Sequence, residues 1–330
     1  MKEGPPDQDL PCVTFWVVEP GNAGARLDAC LRRLLPHVSL RELKKALAEG
    51  AFQVNQKKRK KGYVVRAGEL ISFHGPNVVL AQEPLPRHST NVRIVYEDEA
   101  ILVVDKPAGM ATHGFSARET DSLTNHLVAI RPELRNIGKS LWEPGLVHRL
   151  DRETSGLVLV AKEQETFSDL RAQFRSQRVH KKYWALLRGD TPKQGSIDYP
   201  IIHDPKNRRK MKALVDPAAH RGQKRWRAVT RYRTLAQDHG FSLVEVEMLT
   251  GVTHQIRAHF VTLGNPLVGD SLYGPGHSLS PPLKRHFLHA FYLGCRHPKS
   301  GAAVAWQSPM PHDLREVLAA LQLSFNSQLP

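Results

Sequence analysis

The fold is indicated most clearly by the stretch His148-Arg149-Leu150-Asp151-Arg152-Glu153-Thr154-Ser155-Gly156-Leu157. Within it, Asp151 stands between Arg149 and Arg152, shortly before the apolar run Leu157–Val160. That run predicts a short buried strand beginning close to the carboxylate. The flanking cations favour the charged form of Asp151, because an opposite charge within ~4–6 Å lowers the pKa of a carboxyl group. Alone, the stretch is equally compatible with a structural turn held by ion pairs.

Strand patterns lie on both sides of that stretch. Val92–Tyr96 and Ile101–Val104 flank the acidic turn Glu97-Asp98-Glu99, and Phe241–Leu249 alternates as a half-buried strand does. No parallel βαβ periodicity is present. The sequence therefore predicts an α+β fold, with a mixed, mostly antiparallel sheet carrying helices and loops.

Aromatic and basic residues alternate in the segment His180–Gly189, which predicts a further strand. Such interleaving suits stacking on a nucleobase, and Tyr183 is the candidate. For its neighbour Trp184 we favour a position in the core.

A second candidate cation lies in the segment Leu249–His259. A strand there is expected to end at Gly251, and Thr253 is suited to cap the following helix. This helix would bury its apolar side and place Arg257 in its first turn, near a turn that can face a site. The buried side is expected to consist of Ile256, Phe260 and Leu263.

The N-terminal part of the chain has its own pattern. Leucines at helical spacing precede Pro36, and a second helix follows, with Ser39 and Glu42 as a capping box and Gly50 at its end. Phe52–Val54 alternates like a short strand, and Val64–Ile71 predicts another with a turn inside it. The segments Arg26-Leu27-Asp28, Ser39-x-Arg41, Gly50–Asn55 and Ala67–Ile71 resemble an S4 RNA-binding domain. That resemblance implies that the second helix presents three cations to RNA phosphates, namely Arg41, Lys44 and Lys45; the alternative is a solvated helix face.

Composition favours a polyanionic partner. The chain has a net charge of +15, and basic residues cluster at Lys57–Lys61 and Lys206–Lys212. Three scattered cysteines without Cys-x-x-Cys spacing indicate neither a zinc site nor a disulfide framework. No apolar run approaches the ~20 residues that span a bilayer. We therefore expect no membrane association, and a cytoplasmic or equivalent nucleic-acid compartment.

Several segments together resemble the RluA family of pseudouridine synthases. The matching segments are His148–Lys162, Lys106-Pro107-Ala108-Gly109, Thr253-His254-Gln255-Ile256-Arg257, Leu288-His289-Ala290 and His297-Pro298. The resemblance spans about Val92 to Pro309. One position departs from the family pattern: Val252 stands where an Arg is usual. We expect that change to alter an RNA contact or a local structural contact, and to leave the chemistry intact.

The resemblance implies roles for particular residues. Asp151 would act on a flipped uridine, and Arg257 would pair with it and keep it charged. Tyr183 would stack on the target ring and take part in removing the C5 proton. Arg149 would enter the space left by the flipped base, and His148 joins it as a substrate-binding residue.

The implied reaction breaks the uridine N1–C1′ bond and joins C5 to C1′, so it is an isomerisation that needs no cofactor or metal. The sequence shows no dinucleotide fingerprint, phosphate-binding loop or metal-ligand spacing. The expected partner is RNA, with large-subunit rRNA favoured over tRNA, and the expected state is a monomer. Two rival functions are a noncatalytic RNA-binding or ribosome-assembly factor, and a hydrolase using Ser155, His148 and Asp151. No Gly-x-Ser-x-Gly elbow surrounds Ser155, which disfavours the hydrolase.

The predicted domain organisation has five parts. They are an N-terminal extension (1–24), the S4-like α+β domain (25–76), a linker (77–90), the catalytic domain (91–322) and a C-terminal tail (323–330).

Overall fold

The backbone contacts divide the chain into two compact units. The structure, a computed structural model, describes residues 14–36, 38, 40–75, 83–114, 119–216, 222–274 and 282–324. The first unit comprises Met1–His88, His113–Arg135 and Lys139–Pro144; the second comprises Ser89–Thr112, Asn136–Gly138 and Gly145–Pro330. The predicted cap at Ser39 and much of the predicted extension, linker and tail lie outside the described residues.

The first unit is a small α+β arrangement. Its helices and strands are β1 (Thr14–Val17), α1 (Leu27–Leu34), α2 (Leu40–Ala48), β2 (Phe52–Val54), β3 (Lys57–Lys58), β4 (Leu70–Phe73) and α3 (Leu123–Ile130). The strands form an antiparallel sheet in the order β1-β4-β2-β3. The apolar sides of α1 and α2 pack in one core with Phe52 and Phe73, which are fully buried. Of the strand predicted over Val64–Ile71, only Leu70 and Ile71 belong to β4. Val64 instead makes an isolated β-bridge with Arg26.

Helix α2 ends through Gly50, as its position in the sequence predicts. Gly50 has φ +75°, a left-handed conformation that costs glycine little. Its N–H donates to Leu47 O at 3.1 Å, and the next N–H, of Ala51, donates to Ala46 O at 2.9 Å. The chain then turns directly into β2.

The second unit is built on a nine-stranded sheet. Its elements are β5 (Arg93–Glu97), β6 (Ile101–Lys106), β7 (Ser155–Ala161), α4 (Gln164–Arg175), β8 (His180–Arg188), β9 (Gln194–Ile197), β10 (Ile201–His203), β11 (Met211–Ala213), β12 (Thr230–Asp238), β13 (Phe241–Met248), α5 (Gln255–Thr262), β14 (Leu288–Arg296), β15 (Ala303–Gln307) and α6 (His312–Ala320). The strand order is β5-β6-β7-β14-β8-β13-β12-β9, with β15 on β14, while β10 and β11 form a separate hairpin. Among the strands that the structure describes, only β7 and β14 pair in parallel, so the prediction of a mixed, mostly antiparallel sheet is confirmed.

The parallel junction between β7 and β14 lies just after Asp151. Gly156 has φ +120°, and a Cβ there would collide with the backbone of Ala290 on β14. The close approach of the two backbones therefore requires glycine. This approach fixes the start of β7, and with it the turn that carries Asp151.

Candidate active site

The turn that carries Asp151 is tied to its surroundings on both sides. Thr112 Oγ1 donates to Leu150 O at 2.7 Å and accepts the N–H of Leu150 at 3.1 Å. Arg152 Nη1 donates to Gly109 O at 3.1 Å. The backbone of the turn is therefore held in place by the loop after β6 before any substrate arrives.

Lys106 also links the loop after β6 to the turn that carries Asp151. The side chain is fully buried, and Nζ donates to Pro107 O at 2.9 Å, Met110 O at 2.8 Å and Arg152 O at 3.2 Å. Burial lowers the pKa of this amine to about 7, although the charges of Asp151 and other acidic groups nearby act in the opposite direction. We assign Lys106 to fixing the loop against the Asp151 turn.

Arg257, on α5, lies between two carboxylates. Its Nη1 donates to Asp151 Oδ2 at 3.0 Å, while Nε and Nη2 donate to the two oxygens of Asp270 at 2.7 and 2.9 Å. The Arg257 side chain is 8% exposed and that of Asp270 is 0% exposed, whereas Asp151 is 24% exposed. The bidentate pair with Asp270 therefore fixes the guanidinium, and Asp151 keeps an accessible edge.

The electrostatics of this group follow from burial and pairing. Burial by itself would lower the pKa of Arg257, but the hydrogen bonds and charges of Asp270 and Asp151 raise it. Burial would raise the pKa of Asp270, but the hydrogen bond and charge of Arg257 lower it, assisted by the N–H of Tyr273. Arg257 and Asp270 thus favour each other's charged forms, and the Nη1 of Arg257 presents positive charge to Asp151.

Asp270 was missed by the sequence reasoning. The available signal was an isolated acidic residue directly after the apolar pair Leu267-Val268 and Gly269. A single carboxylate after an apolar segment is common, and its partner Arg257 lies 13 residues earlier on a different element. Nothing in the local pattern indicated their pairing.

Tyr183 lies in the centre of the sheet, opposite Val246 of β13 and Ala290 of β14. It is 4% exposed. Burial raises the pKa of its phenol, and the nearby charge of Asp151 raises it further. Asp151 therefore acts electrostatically on Tyr183 and contacts Arg257, and the catalytic roles of these three residues stay predictions. The neighbouring Trp184 stacks on Phe291 with 4.1 Å between ring centroids, in the core position that we favoured.

The start of α5 differs from the sequence prediction. The N-cap is His254, with φ 54° and ψ 20°, and not Thr253. The Thr253 hydroxyl instead accepts a hydrogen bond from Arg149 Nη2 at 3.0 Å, which holds an exposed Arg149 beside the site. Leu263, expected on the buried side of the helix, is 41% exposed because α5 ends at Thr262 and the chain turns at Gly264.

His148 is engaged within the fold. Its Nε2 accepts the N–H of Leu159 at 2.9 Å, and its ring stacks on Phe174 at 4.9 Å. Burial lowers the pKa of this imidazole to about 3, assisted by the charges of Lys181 and Arg171. These contacts give His148 a structural function, and its substrate-binding role stays a prediction.

The hydrolase arrangement is not formed. Ser155 Oγ lies 2.9 Å from His289 Nδ1, not at His148, and Arg285 Nη1 donates to the same hydroxyl at 3.2 Å. Ser155 and His289 are 3% and 0% exposed. The hydroxyl is thus part of a buried network beneath the site.

The remaining predicted RNA contacts lie on α2 of the first unit. Arg41, Lys44 and Lys45 are exposed there, and Lys45 Nζ lies 3.7 Å from Glu49 Oε1. Their side chains share the solvent side of a helix whose other side is buried through Leu43. Cations in this arrangement can bind phosphates, and that role stays a prediction.

Comparison with known proteins adds to this geometry. Residues 100–262 match the family model described as RNA pseudouridylate synthase, and residues 25–71 match the S4 domain. The chain is 38% identical over 306 residues to an uncharacterized RNA pseudouridine synthase of Chloroflexus aurantiacus, with 93% of each chain covered. It is 37% identical over 314 residues to ribosomal large subunit pseudouridine synthase D of Neisseria meningitidis, with 91% and 80% covered. The chain belongs to the RNA pseudouridine synthases.

The fold of the chain is also similar to solved structures of pseudouridine synthases. Human RNA pseudouridylate synthase domain containing 1 covers 74% of this chain and 93% of its own, with 28% identity and a TM-score of 0.56. The predicted family and the S4 domain are therefore confirmed. The synthase match includes Asp151, Tyr183 and Arg257, whose roles stay predictions. In the part of the chain that the structure describes, no helix is long and apolar enough to cross a membrane.

The departure at Val252 is visible in this synthase as a packing contact. Val252 is half-buried and packs against an apolar cluster formed by Ile201, Met211, Ala213, Ala228 and Ala258. This cluster includes residues from both strands of the β10–β11 hairpin. An apolar side chain here contributes to packing where an Arg would present a charge.

Proposed function

We propose that this synthase isomerises uridine to pseudouridine in large-subunit ribosomal RNA, with Asp151 as the carboxylate that acts on the target nucleotide. The observation that carries the proposal is the 3.0 Å contact between Asp151 and a buried Arg257. Such a contact places a fixed cation beside the carboxylate in a site that must also accept an apolar base face. The ribosomal target is supported by relatives whose name states that substrate, in Neisseria meningitidis and Zymomonas mobilis.

The chemistry needs one ionised group at the nucleotide. The N1–C1′ bond breaks, C5 bonds to C1′, C5 gives up a proton and N1 gains one, so the atoms balance within the nucleotide. Attack on the base, attack on the sugar and removal of a sugar proton all start from ionised Asp151. The geometry serves each route, because Arg257 holds Oδ2 and the carboxylate retains an accessible edge.

Tyr183 and Arg149 would place the target base. Burial keeps the Tyr183 phenol protonated, so we assign it to stacking against the uracil ring, and a role as the base that removes the C5 proton is disfavoured. Arg149 is exposed and anchored through Thr253, and we assign it to filling the space left by a flipped base. Flipping costs a few kcal/mol, which stacking and phosphate contacts must offset.

Two basic surfaces would hold the rest of the RNA. One is the exposed side of α2, with Arg41, Lys44 and Lys45 in the first unit. The other is the loop of the β10–β11 hairpin in the second unit, which carries most of the basic run Lys206–Lys212. Cations in such positions bind phosphates without reading sequence, so they supply affinity, and the shape of the RNA selects the uridine.

The proposal needs one chain only. Asp151, Tyr183, Arg257 and Asp270 all come from the same unit of one molecule, which is consistent with a monomer. A ribosomal RNA substrate is consistent with work in the cytoplasm or an equivalent compartment.

The deciding experiment maps pseudouridines at single-nucleotide resolution in total RNA with and without the gene, and after adding purified protein to RNA from the deletion strain. We expect one or more large-subunit rRNA positions to lose pseudouridine on deletion and to regain it with the protein. If the protein forms pseudouridine in tRNA alone, the proposed ribosomal target is wrong and the proposed isomerase activity stands. No lost position, together with no product from the purified protein, would overturn the function.

A further inference from the structure

His254 occupies a strained position at the start of α5. With φ 54° and ψ 20° it is left-handed, a conformation that L side chains other than glycine adopt only at a cost in free energy. Its carbonyl still accepts the N–H of Ala258 at 2.8 Å, which is the first bond of the helix. The ring meets Tyr273 edge-to-face, with 5.6 Å between centroids. Strain of this kind persists where the surrounding contacts fix it, and it concentrates at functional sites.

Both ring nitrogens of His254 have neighbours. Nδ1 lies 3.0 Å from the hydroxyl of Tyr273, and Nε2 lies 3.7 Å from Oδ2 of Asp151. That oxygen is the one that accepts from Arg257 Nη1. Two side-chain nitrogens, Nη1 of Arg257 and Nε2 of His254, therefore lie on the same side of the carboxylate.

The Tyr273 hydroxyl fixes which nitrogen of His254 carries the proton. This oxygen accepts the N–H of Met211, on β11, at 2.6 Å. Among the described residues, its other hydrogen-bond partner is His254 Nδ1. If the phenol donates its own hydrogen to Nδ1, all three groups are satisfied; the reverse leaves a half-buried O–H without an acceptor. The neutral ring then carries its hydrogen on Nε2, facing Asp151.

The protonation states are consistent with this arrangement. Burial lowers the pKa of His254, although Asp151 acts in the opposite direction, so the ring is neutral at pH 7. Burial raises the pKa of Tyr273 to about 12, so its hydroxyl keeps the hydrogen that it donates. The N–H of Met211, on β11, therefore orients the phenol from an element outside α5.

We propose that His254 is a positioning residue of the isomerisation, held by Tyr273 as the neutral Nε2–H tautomer so that it donates to Oδ2 of Asp151 when the target nucleotide is bound. The distance of 3.7 Å must shorten by somewhat under ~1 Å to make that hydrogen bond. Contacts in active sites commonly tighten in this way on binding. Arg257 and His254 then both hold Oδ2, and Oδ1 is the oxygen left to react. The inference rests on the proposed role of Asp151.

The tautomer is tested without activity, by ¹⁵N NMR of histidine-labelled protein at pH 7, with the His254 signals assigned by their loss in a His254→Gln variant. We expect the neutral Nε2–H form in the wild type and a mixture of tautomers in Tyr273→Phe, which lacks the hydroxyl. A predominant Nδ1–H form, or an imidazolium, in the wild type would overturn the proposal. This measurement stands even if the RNA target is different from the proposed one.

Kinetics separate positioning from packing. In His254→Gln the side-chain amide reaches the place of Nε2, whereas in His254→Asn the residue tolerates the left-handed backbone but its amide reaches only the place of Nδ1. With enzyme in excess over RNA, we expect the Asn variant to lower the single-turnover rate by about tenfold to a hundredfold, at unchanged Kd for RNA. We expect the Gln variant to recover most of that loss. Equal single-turnover rates for the Asn variant and the wild type, or equally low rates for the Gln and Asn variants, would overturn the positioning role of His254.

The two failures remain distinguishable. If the wild type forms pseudouridine in tRNA alone, the same variants are compared on that RNA. If it forms none in any RNA, the proposed function is wrong, and the NMR result still decides whether Tyr273 sets the tautomer.

Discussion

Asp151 Oδ2 lies 3.0 Å from Nη1 of Arg257, although the two residues are 106 positions apart in the chain. The contact is possible because β7 and α5 bring the ends of separate segments together in one unit. Arg257 is in turn held by Asp270, so the guanidinium that contacts Asp151 is fixed by a second carboxylate.

Asp151→Asn should abolish isomerisation and leave RNA binding largely intact, since the change removes a charge at nearly constant volume. Tritium release from C5-labelled uridine in RNA measures the first effect, and a filter-binding titration measures the second. Near-normal release by the variant would end the assignment of Asp151. A variant that releases no tritium and also fails to bind would point to a disturbed fold, which its melting temperature checks.

Arg257→Ala should lose activity and stability together, because it leaves a fully buried Asp270 without its cation. Removing one partner of a buried pair costs on the order of 3–5 kcal/mol in the free energy of unfolding. Urea denaturation measures it. Arg257→Lys is the matched control: the charge stays, but one ammonium cannot replace the planar fork that reaches both carboxylates, so we expect smaller destabilisation with activity still reduced. An Ala variant as stable as the wild type would contradict the pairing.

Arg41→Gln/Lys44→Gln should weaken RNA binding and flatten its salt dependence. Each lost phosphate contact should reduce the log–log slope of affinity against salt by ~0.7–0.9. The matched control is Lys299→Gln/Arg315→Gln, which removes the same charge from exposed positions of the second unit. If both variants change the slope equally, overall charge explains the effect and α2 is a solvated face. If neither changes it, the predicted contacts are absent.

His148 should make the protein less stable in mild acid. Its folded pKa is about 3, below the ordinary value of 6.5. Below pH 6.5 the unfolded chain therefore binds a proton that the folded chain does not, and stability falls as the pH drops from 6.5 towards 3. His148→Gln keeps an acceptor for the N–H of Leu159 and does not titrate. Between pH 7 and 4.5, we expect the wild type to lose about 2–3 kcal/mol more than this variant in the free energy of unfolding. Equal losses would show that the imidazole is not held neutral.

The sequence predicted much of the fold because the relevant signals are local. Apolar runs such as Leu157–Val160 predicted strands, and Gly50 marked the end of α2. The expectation for the start of α5 was wrong, since the capping preference of Thr253 is weaker than the tertiary contacts that engage its hydroxyl with Arg149 and fix His254 in a left-handed conformation. Local preferences amount to about 1 kcal/mol, and a few side-chain contacts exceed that.

The sequence by itself determined the family, the α+β class and the candidates Asp151, Tyr183 and Arg257, because residue types at fixed local spacing carry that information. Only the tertiary structure decided that Asp270 holds Arg257, that Ser155 pairs with His289, and that His148 is engaged within the fold. Hydrogen bonds require a separation of about 3 Å and a narrow range of angles. Between residues far apart in the chain, that geometry is set by how strands and helices pack, which no local pattern records.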